Sequence, residues 1–253
     1  MFLKVAVRSL LSRKGSAVMT LMAISVAIFV LLGIEQIRQQ ARDSFASTVS
    51  GVDLIVGAKT GSLNLLLYSV FRIGSPTDNI SWQAYREIAG SNDIAWAIPI
   101  SLGDSHEGYR VVGTTHAFFD HFSFGKKRHL AFSEGEAFEG TFDAVLGSEV
   151  ASALGYSVGT EIILAHGLAS TSFTQHDNQP FVVVGVLAPT GTPVDQTIHV
   201  RLEGIEAMHA GGSTAPIGAF APASAPATDF SEPESITAFM LGLKSVSYTH
   251  LRA

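Results

Sequence analysis

Two groups of histidine and aspartate residues have the side-chain chemistry of a metal site. One consists of His116, Asp120 and His121, and the other of His166, His176 and Asp177. Imidazole and carboxylate groups bind zinc and other transition metals, but only where the fold brings three or four of them together. Spacing alone does not do this. We therefore interpret the histidines as surface residues and predict no metal site and no cofactor.

Several segments match catalytic motifs only in part. The sequence GDSHE at 103–107 resembles a nucleophile elbow without its closing glycine, and HEGYR at 106–110 lacks the second histidine of a zincin helix. The sequence AKT at 58–60 lacks the glycine that precedes the lysine of a phosphate-binding loop. Glu134 and Glu136 lie in a stretch rich in glycine and phenylalanine, where a loop face explains the paired carboxylates as well as acid/base chemistry would. We assign no catalytic residue and expect no ATP hydrolysis by this chain alone.

Charge is distributed unevenly along the chain. Residues 1–34 contain Lys4, Arg8, Arg13 and Lys14 and no acid, so 12 of the 16 basic residues and all 22 acidic residues follow, with a net charge of −10. An acidic body of this kind repels phosphate backbones, which excludes a nucleic-acid partner. The chain has no cysteine, so disulfides and thiol nucleophiles are also excluded.

One segment has the length and composition of a membrane span. Gly15–Ile34 contains 20 residues without a charge, and a helix of that length is about 30 Å long, the thickness of a bilayer core. The basic residues precede it, so the positive-inside rule places the N-terminus in the cytoplasm. A cleaved signal peptide is the alternative, but its apolar core is usually shorter and ends in a small-x-small site, whereas Glu35–Gln40 follows here.

These patterns predict five regions. They are a cytoplasmic amphipathic leader at 1–14, a transmembrane helix at 15–35, a stalk helix at 36–47, an extracytoplasmic domain at 48–244 and a tail at 245–253 that we exclude from the fold.

The extracytoplasmic region predicts a mixed α+β domain, because strand-like and helical patterns alternate along it. The predicted strands are Asp53–Val56, Ala95–Leu102, Tyr109–Thr114, Ala144–Leu146, Glu161–Leu164, Phe181–Val186, Ile198–Val200 and Ile236–Leu243. The predicted helices are Leu63–Phe71, Ser81–Ala89, Ser148–Leu154 and Leu202–His209. Three prolines and many small residues predict a loop at Gly211–Ala227.

Three blocks of sequence carry a resemblance to a known family. The first is DLIVGAK at 53–59 with LLYSVFRI at 66–73 and Pro76. The second is VLGSEVA at 145–151 with LG at 154–155 and VGT at 158–160, and the third is FVVVGVL at 181–187 with PTGTPVD at 189–195. In this order after one N-terminal span, they resemble the MacB-like periplasmic core domain of FtsX-type ABC permeases.

The resemblance implies a function and a set of partners. The chain would be the N-terminal portion of a permease subunit in the bacterial inner membrane, truncated before further transmembrane helices, with the main domain in the periplasm. Its partners would be a separate ABC ATPase subunit and a second permease protomer, so the chain itself is not expected to be an enzyme. ATP hydrolysis would move the periplasmic domain for export, extraction or mechanotransmission. The alternative is a membrane-anchored periplasmic binding or adaptor protein, related to metal through its histidines.

A short apolar stripe is the candidate coupling surface. Leu66, Leu67, Val70 and Phe71 fall on one face of the predicted helix Leu63–Phe71. That face must be buried, either on the sheet of its own domain or against the second protomer or the stalk. In the second case it would carry motion between span and domain.

Overall fold

The computed structural model describes residues 13–166, 180–211 and 232–244, and the chain divides into two compact units, Met1–Ser47 and Thr48–Ala253. Most of the predicted leader, His176, Asp177, residues 212–227 of the predicted loop and the tail lie outside the described residues.

A single helix, α1 (Lys14–Thr48), accounts for the described part of the first unit. Its segment Lys14–Gln39 is long and apolar enough to cross a membrane. No proline interrupts it, and the Thr20 hydroxyl donates to the carbonyl oxygen of Ser16 at 2.9 Å, so this polar group is satisfied within the helix. The predicted uncharged stretch Gly15–Ile34 lies inside this segment.

The second unit mixes short helices with many strands, which confirms the α+β prediction. The helices are α2 (Ser62–Ser69), α3 (Trp82–Ala89), α4 (Ala117–His121), α5 (Ser148–Leu154) and α6 (Leu202–Gly211), with a 3₁₀ turn at Pro193–Gln196. The strands are β1 (Leu54–Gly57), β2 (Ile80–Ser81), β3 (Ile94–His106), β4 (Tyr109–Thr114), β5 (Ser123–Phe124), β6 (Arg128–His129), β7 (Phe132–Gly135), β8 (Asp143–Leu146), β9 (Glu161–Ile162), β10 (Ala165–His166), β11 (Phe181–Leu187), β12 (Thr197–Arg201), β13 (Ser235–Ile236) and β14 (Ala238–Leu243).

Ten of these strands form one sheet. Its main path runs β1-β14-β3-β4-β12-β8-β11-β7, with β10 beside β3 and β9 beside β11. β4 pairs with β12 and β8 pairs with β11 in parallel, and the other pairs in this sheet are antiparallel. The first strand after α1 therefore lies at one edge, next to β14.

Both faces of the sheet are buried by apolar side chains. On one face Val111 and Ile198 pack with Val150 of α5 and Ile205 of α6. On the other face Val112 and its neighbours pack with phenylalanines of α4 and with Val70 after α2. Adjacent strand residues thus supply opposite faces, as a sheet covered on both sides requires.

Each predicted strand and helix of the domain corresponds to an observed element, with shifts at the ends. α2 ends at Ser69, not at Phe71. The short helix α4, the 3₁₀ turn and the strands β2, β5, β6, β7 and β10 were not predicted. The stretch predicted as a loop face contains β7, so Glu134 lies on a strand at the sheet edge. That strand carries no alternation of apolar residues, and it forms because β11 lies beside it.

Candidate coupling surface around helix α2

The four predicted stripe residues do not share one face of one helix. Leu66 is 40% exposed, Leu67 is half-buried, and Val70 is 7% exposed within the core. Val70 and Phe71 follow the last residue of α2, and Phe71 packs against the same core cluster as Val70. The early end of α2 separates the stripe into an outward and an inward part.

Helix α2 lies on strand β1 through its inner face. A Cβ atom at Gly57 would lie 2.3 Å from a terminal methyl of Leu65 and 3.0 Å from the hydroxyl of Tyr68, so a larger residue there would require the Leu65 side chain to move. The outer face carries Leu63, which is 64% exposed, together with Leu66. Sequence periodicity did not single out Leu63, because it identified the helix without its orientation.

Arg72 lies in the turn that ends this helix. The main-chain N–H of Ile73 donates to the carbonyl oxygen of Leu67 at 2.9 Å, a bond that reaches back six residues and closes the turn after the helix. Arg72 has φ of 59°, the left-handed conformation that glycine usually adopts at this point. Its side chain is buried, and its guanidinium group donates to the carbonyl oxygen of Ser69.

Burial and charge perturb the groups around Arg72. Burial lowers the pKa of Arg72 to about 10, and the charge of Arg110 contributes to the shift. His199 on β12 is fully buried and stacks on Phe118 with ring centroids 4.8 Å apart. Burial lowers the pKa of His199 to about 3, the charge of Arg72 lowers it as well, and the backbone of Val145 opposes the shift. The imidazole is therefore neutral at physiological pH.

The chain is held to the domain directly after α1. The main-chain N–H of Ser50 donates to the carbonyl oxygen of Ser123 at 2.9 Å, and the Ser123 hydroxyl donates to the carbonyl oxygen of Ser50 at 2.5 Å. Three residues later, the Asp53 carboxylate accepts a hydrogen bond from the main-chain N–H of Leu243. The first residues of the domain are thus tied to β5 and to β14.

The candidate metal ligands do not assemble in the described part of the chain. Residues 13–166, 180–211 and 232–244 contain no group of three or more histidine, aspartate or glutamate side chains able to hold a metal ion. His116 lies 3.1 Å from Asp120, whereas His121 stacks parallel to the ring of Trp96. His106, part of both catalytic near-matches, contacts the carbonyl oxygen of Ile163 at 2.7 Å and the Tyr156 hydroxyl at 3.1 Å.

Comparisons with known proteins agree with this architecture. The sequence model of the MacB-like periplasmic core domain matches residues 17–225. No curated protein matches the chain. The chain therefore belongs to the MacB-like periplasmic core domain family.

Solved structures of two ABC transporters resemble the chain. One is the extracellular domain of the noncanonic ABC-type transporter YknZ from Gram-positive bacteria, with 10% identity, 67% of this chain and 76% of that chain covered and a TM-score of 0.42. The other is the periplasmic region of MacB from Actinobacillus actinomycetemcomitans, with 11% identity, 76% of each chain covered and a TM-score of 0.44.

Proposed function

We propose that this chain is the N-terminal part of the permease subunit of an ABC transporter in the bacterial inner membrane. Membership of the MacB-like family supports this function. Within residues 13–166, 180–211 and 232–244, one helix is able to cross a membrane, and it precedes the folded domain. The four basic residues Lys4, Arg8, Arg13 and Lys14 lie at its N-terminal side. This charge distribution favours a cytoplasmic N-terminus and a periplasmic domain.

The ATPase is a separate subunit under this proposal, and its movement passes through α1 into the domain for export, extraction or mechanotransmission. The observation that carries the proposal is the short connection from α1 to the sheet. Thr48 ends α1, Ser50 is already bonded to β5, and Asp53 is bonded to β14. With few unrestrained residues in between, displacement of the helix end displaces the sheet.

The second permease protomer is the proposed partner of α2. Leu63 and Leu66 on the helix and Ile73 after it are exposed, as is Leu54 on the edge strand β1. Exposed apolar side chains that lie close together are typical of interaction surfaces. Of the four predicted stripe residues, Leu66 fits such a contact best, Leu67 is half-buried, and Val70 and Phe71 support it from inside the domain.

The orientation can be tested by cysteine labelling, since the natural chain has no cysteine. We expect a Ser91→Cys variant, with an exposed position in the domain, to react with a membrane-impermeant maleimide once the outer membrane is permeabilised. A Ser12→Cys variant in the leader should react only after the inner membrane is disrupted. The reverse pattern would contradict the proposed topology.

The coupling can be tested with matched insertions in the full-length permease reconstituted with its ABC ATPase. A Gly-Gly-Ser insertion after Thr48 lengthens the connection from α1 and is expected to reduce permease-dependent ATPase stimulation. The same insertion after Lys126, in the exposed turn between β5 and β6, serves as the control and should retain it. Equal stimulation in both variants would refute transmission through this connection.

A further inference from the structure

Two arginine side chains converge on the turn that follows α2. The Arg72 guanidinium group donates to the carbonyl oxygen of Ser69, and the Arg110 guanidinium group, from β4, donates to the carbonyl oxygen of Gly74. Both acceptors belong to one turn of backbone, so the two cations lie near each other. Their mutual repulsion contributes to the lowered pKa of Arg72, after the larger effect of burial.

No carboxylate neutralises this pair within the described ranges 13–166, 180–211 and 232–244. The arginine ion pairs found there are those of Arg38, Arg86 and Arg201. A buried cation without a partner is costly, and a guanidinium group carries several N–H donors, of which a single carbonyl oxygen satisfies only a part. Arg72 and Arg110 therefore retain both charge and donors for a further acceptor.

A third polar group in the same region is buried with incomplete hydrogen bonding. His199 is fully buried, and neither ring nitrogen makes a hydrogen bond of normal geometry with the described residues. The charge of Arg72 contributes to the lowered pKa of this imidazole, after the larger effect of burial. Buried polar groups nearly always make hydrogen bonds, so a buried group without one requires an explanation, such as a functional role or a bound ion.

The backbone at Arg72 gives an independent reason to assign a role to its side chain. A residue other than glycine in the left-handed region costs about 1 kcal/mol, and such strain persists mainly where function requires it. Glycine would fit this helix end without strain. The sequence instead places there a cation whose side chain is buried beside a second cation.

We propose that Arg72 and Arg110 together form a binding site for a phosphate-type oxyanion. Planar guanidinium forks match the oxygen atoms of phosphate and bind them with paired, charge-assisted hydrogen bonds. Arg110 is partly exposed and Gly74 is exposed, so the Arg110 side of the site is open to solvent, whereas Arg72 is buried behind it. The ligand is inorganic phosphate or a phosphate monoester such as the headgroup of phosphatidate. This inference does not depend on the permease function.

The test measures phosphate binding to the full chain in detergent. Thermal unfolding is followed while inorganic phosphate replaces chloride at constant ionic strength, and binding is measured directly by calorimetry. We expect a saturable rise in Tm for the natural chain and a loss of affinity of about tenfold or more for Arg110→Gln. Arg128→Gln removes a cation that lies over the ring of Phe124 and is the matched control, which should bind as the natural chain does.

The variant Arg72→Gly shows whether a loss of phosphate binding is caused by loss of the arginine or by misfolding. Glycine relieves the positive φ, so we expect this variant to unfold cooperatively without phosphate and to show no phosphate-dependent rise in Tm. Phosphate binding that is unchanged in both Arg72→Gly and Arg110→Gln would overturn the proposal. So would the same Tm in phosphate and in chloride at constant ionic strength, which would indicate an adventitious ion only.

The source of the anion is distinguished by a second ligand. Glycerol 3-phosphate carries the phosphate monoester of a lipid headgroup without its acyl chains. A rise in Tm with both ligands, lost in Arg110→Gln, supports a site open to headgroups. A rise with inorganic phosphate alone supports a site for the free ion. Absence of both effects refutes the site.

Discussion

The main-chain N–H of Leu243 donates a hydrogen bond to Oδ2 of Asp53, with the two atoms 2.8 Å apart. Asp53 directly precedes β1, and its own N–H donates to the carbonyl oxygen of Leu241 at 2.9 Å. Because β1 and β14 are antiparallel, this residue joins the beginning of one strand to the end of the other. The strand that follows α1 is thereby fixed beside the last strand of the sheet.

The substitution Asp53→Ala should weaken the attachment of β1 to the end of β14. We expect a loss of about 0.5–1.5 kcal/mol in the free energy of unfolding and faster amide exchange at Leu243, since one hydrogen bond to an exposed carboxylate is removed. Hydrogen exchange measured by mass spectrometry checks both. Asp53→Asn retains an acceptor oxygen and should lose less. An equal loss in both variants would mean that negative charge, not the hydrogen bond, has the effect.

Two helix N-caps provide a matched test of close backbone packing. Gly147 and Gly61 have nearly the same backbone angles, with φ of −67° and −66°. A Cβ at Gly147 would lie 2.3 Å from the carbonyl oxygen of Val194, whereas nothing lies within 4 Å of one at Gly61. We expect Gly147→Ala to lower the free energy of unfolding by about 1–3 kcal/mol through overpacking and Gly61→Ala to change it little. Denaturant unfolding that shows equal effects would disprove the clash.

Acid should destabilise the domain through His199. The pKa of the folded state, about 3, lies below the unfolded value of 6.5, so the unfolded chain binds the proton first as pH falls. The contribution is fully present above about pH 6.5 and is lost toward pH 3, with a slope of up to about 1.4 kcal/mol per pH unit. His199→Leu should flatten this dependence in unfolding experiments between pH 4.5 and 7.5. A variant with the natural slope would exclude His199 as its origin.

Val70 and Leu66 separate the two roles considered for the apolar stripe. Val70 is buried, so Val70→Ala should lower the free energy of unfolding by about 2 kcal/mol. Leu66 is exposed, so Leu66→Ala should change it by less than about 0.5 kcal/mol. If α2 contacts the second protomer, Leu66→Ala should still weaken dimerisation in sedimentation experiments. Unchanged dimerisation would leave Leu66 without the proposed role.

Local pattern was sufficient to predict the strands of the sheet interior. Runs such as Phe181–Leu187 combine β-branched residues with burial on both faces, so their character is visible within the segment itself. Gly155 and Gly159 adopt positive φ, which glycine allows at the end of a short helix and in the turn that follows it. Gly147 does not, because its requirement is the close approach of Val194 and Asp195, which no local pattern reveals.

The candidate site was less predictable, because it depends on one helix end and on long-range contacts. The apolar pattern predicted that α2 continues to Phe71, whereas the helix ends at Ser69 and Arg72 follows it in the left-handed conformation. That shift changes which leucines face outward. The approach of Arg110 to the same turn arises from sheet pairing and cannot be deduced from spacing along the chain.

The antiparallel pairing of β1 with β14 also determines how the domain bears mechanical load. Asp53 and Leu243 lie at the same end of one hydrogen-bond ladder, so forces on them act side by side. A force that pulls them apart breaks the hydrogen bonds between β1 and β14 one after another. A force that moves them together places no load on the bonds between them. The β1–β14 pair therefore resists deformation when Asp53 and Leu243 are displaced together. It opens readily when the two residues are pulled apart.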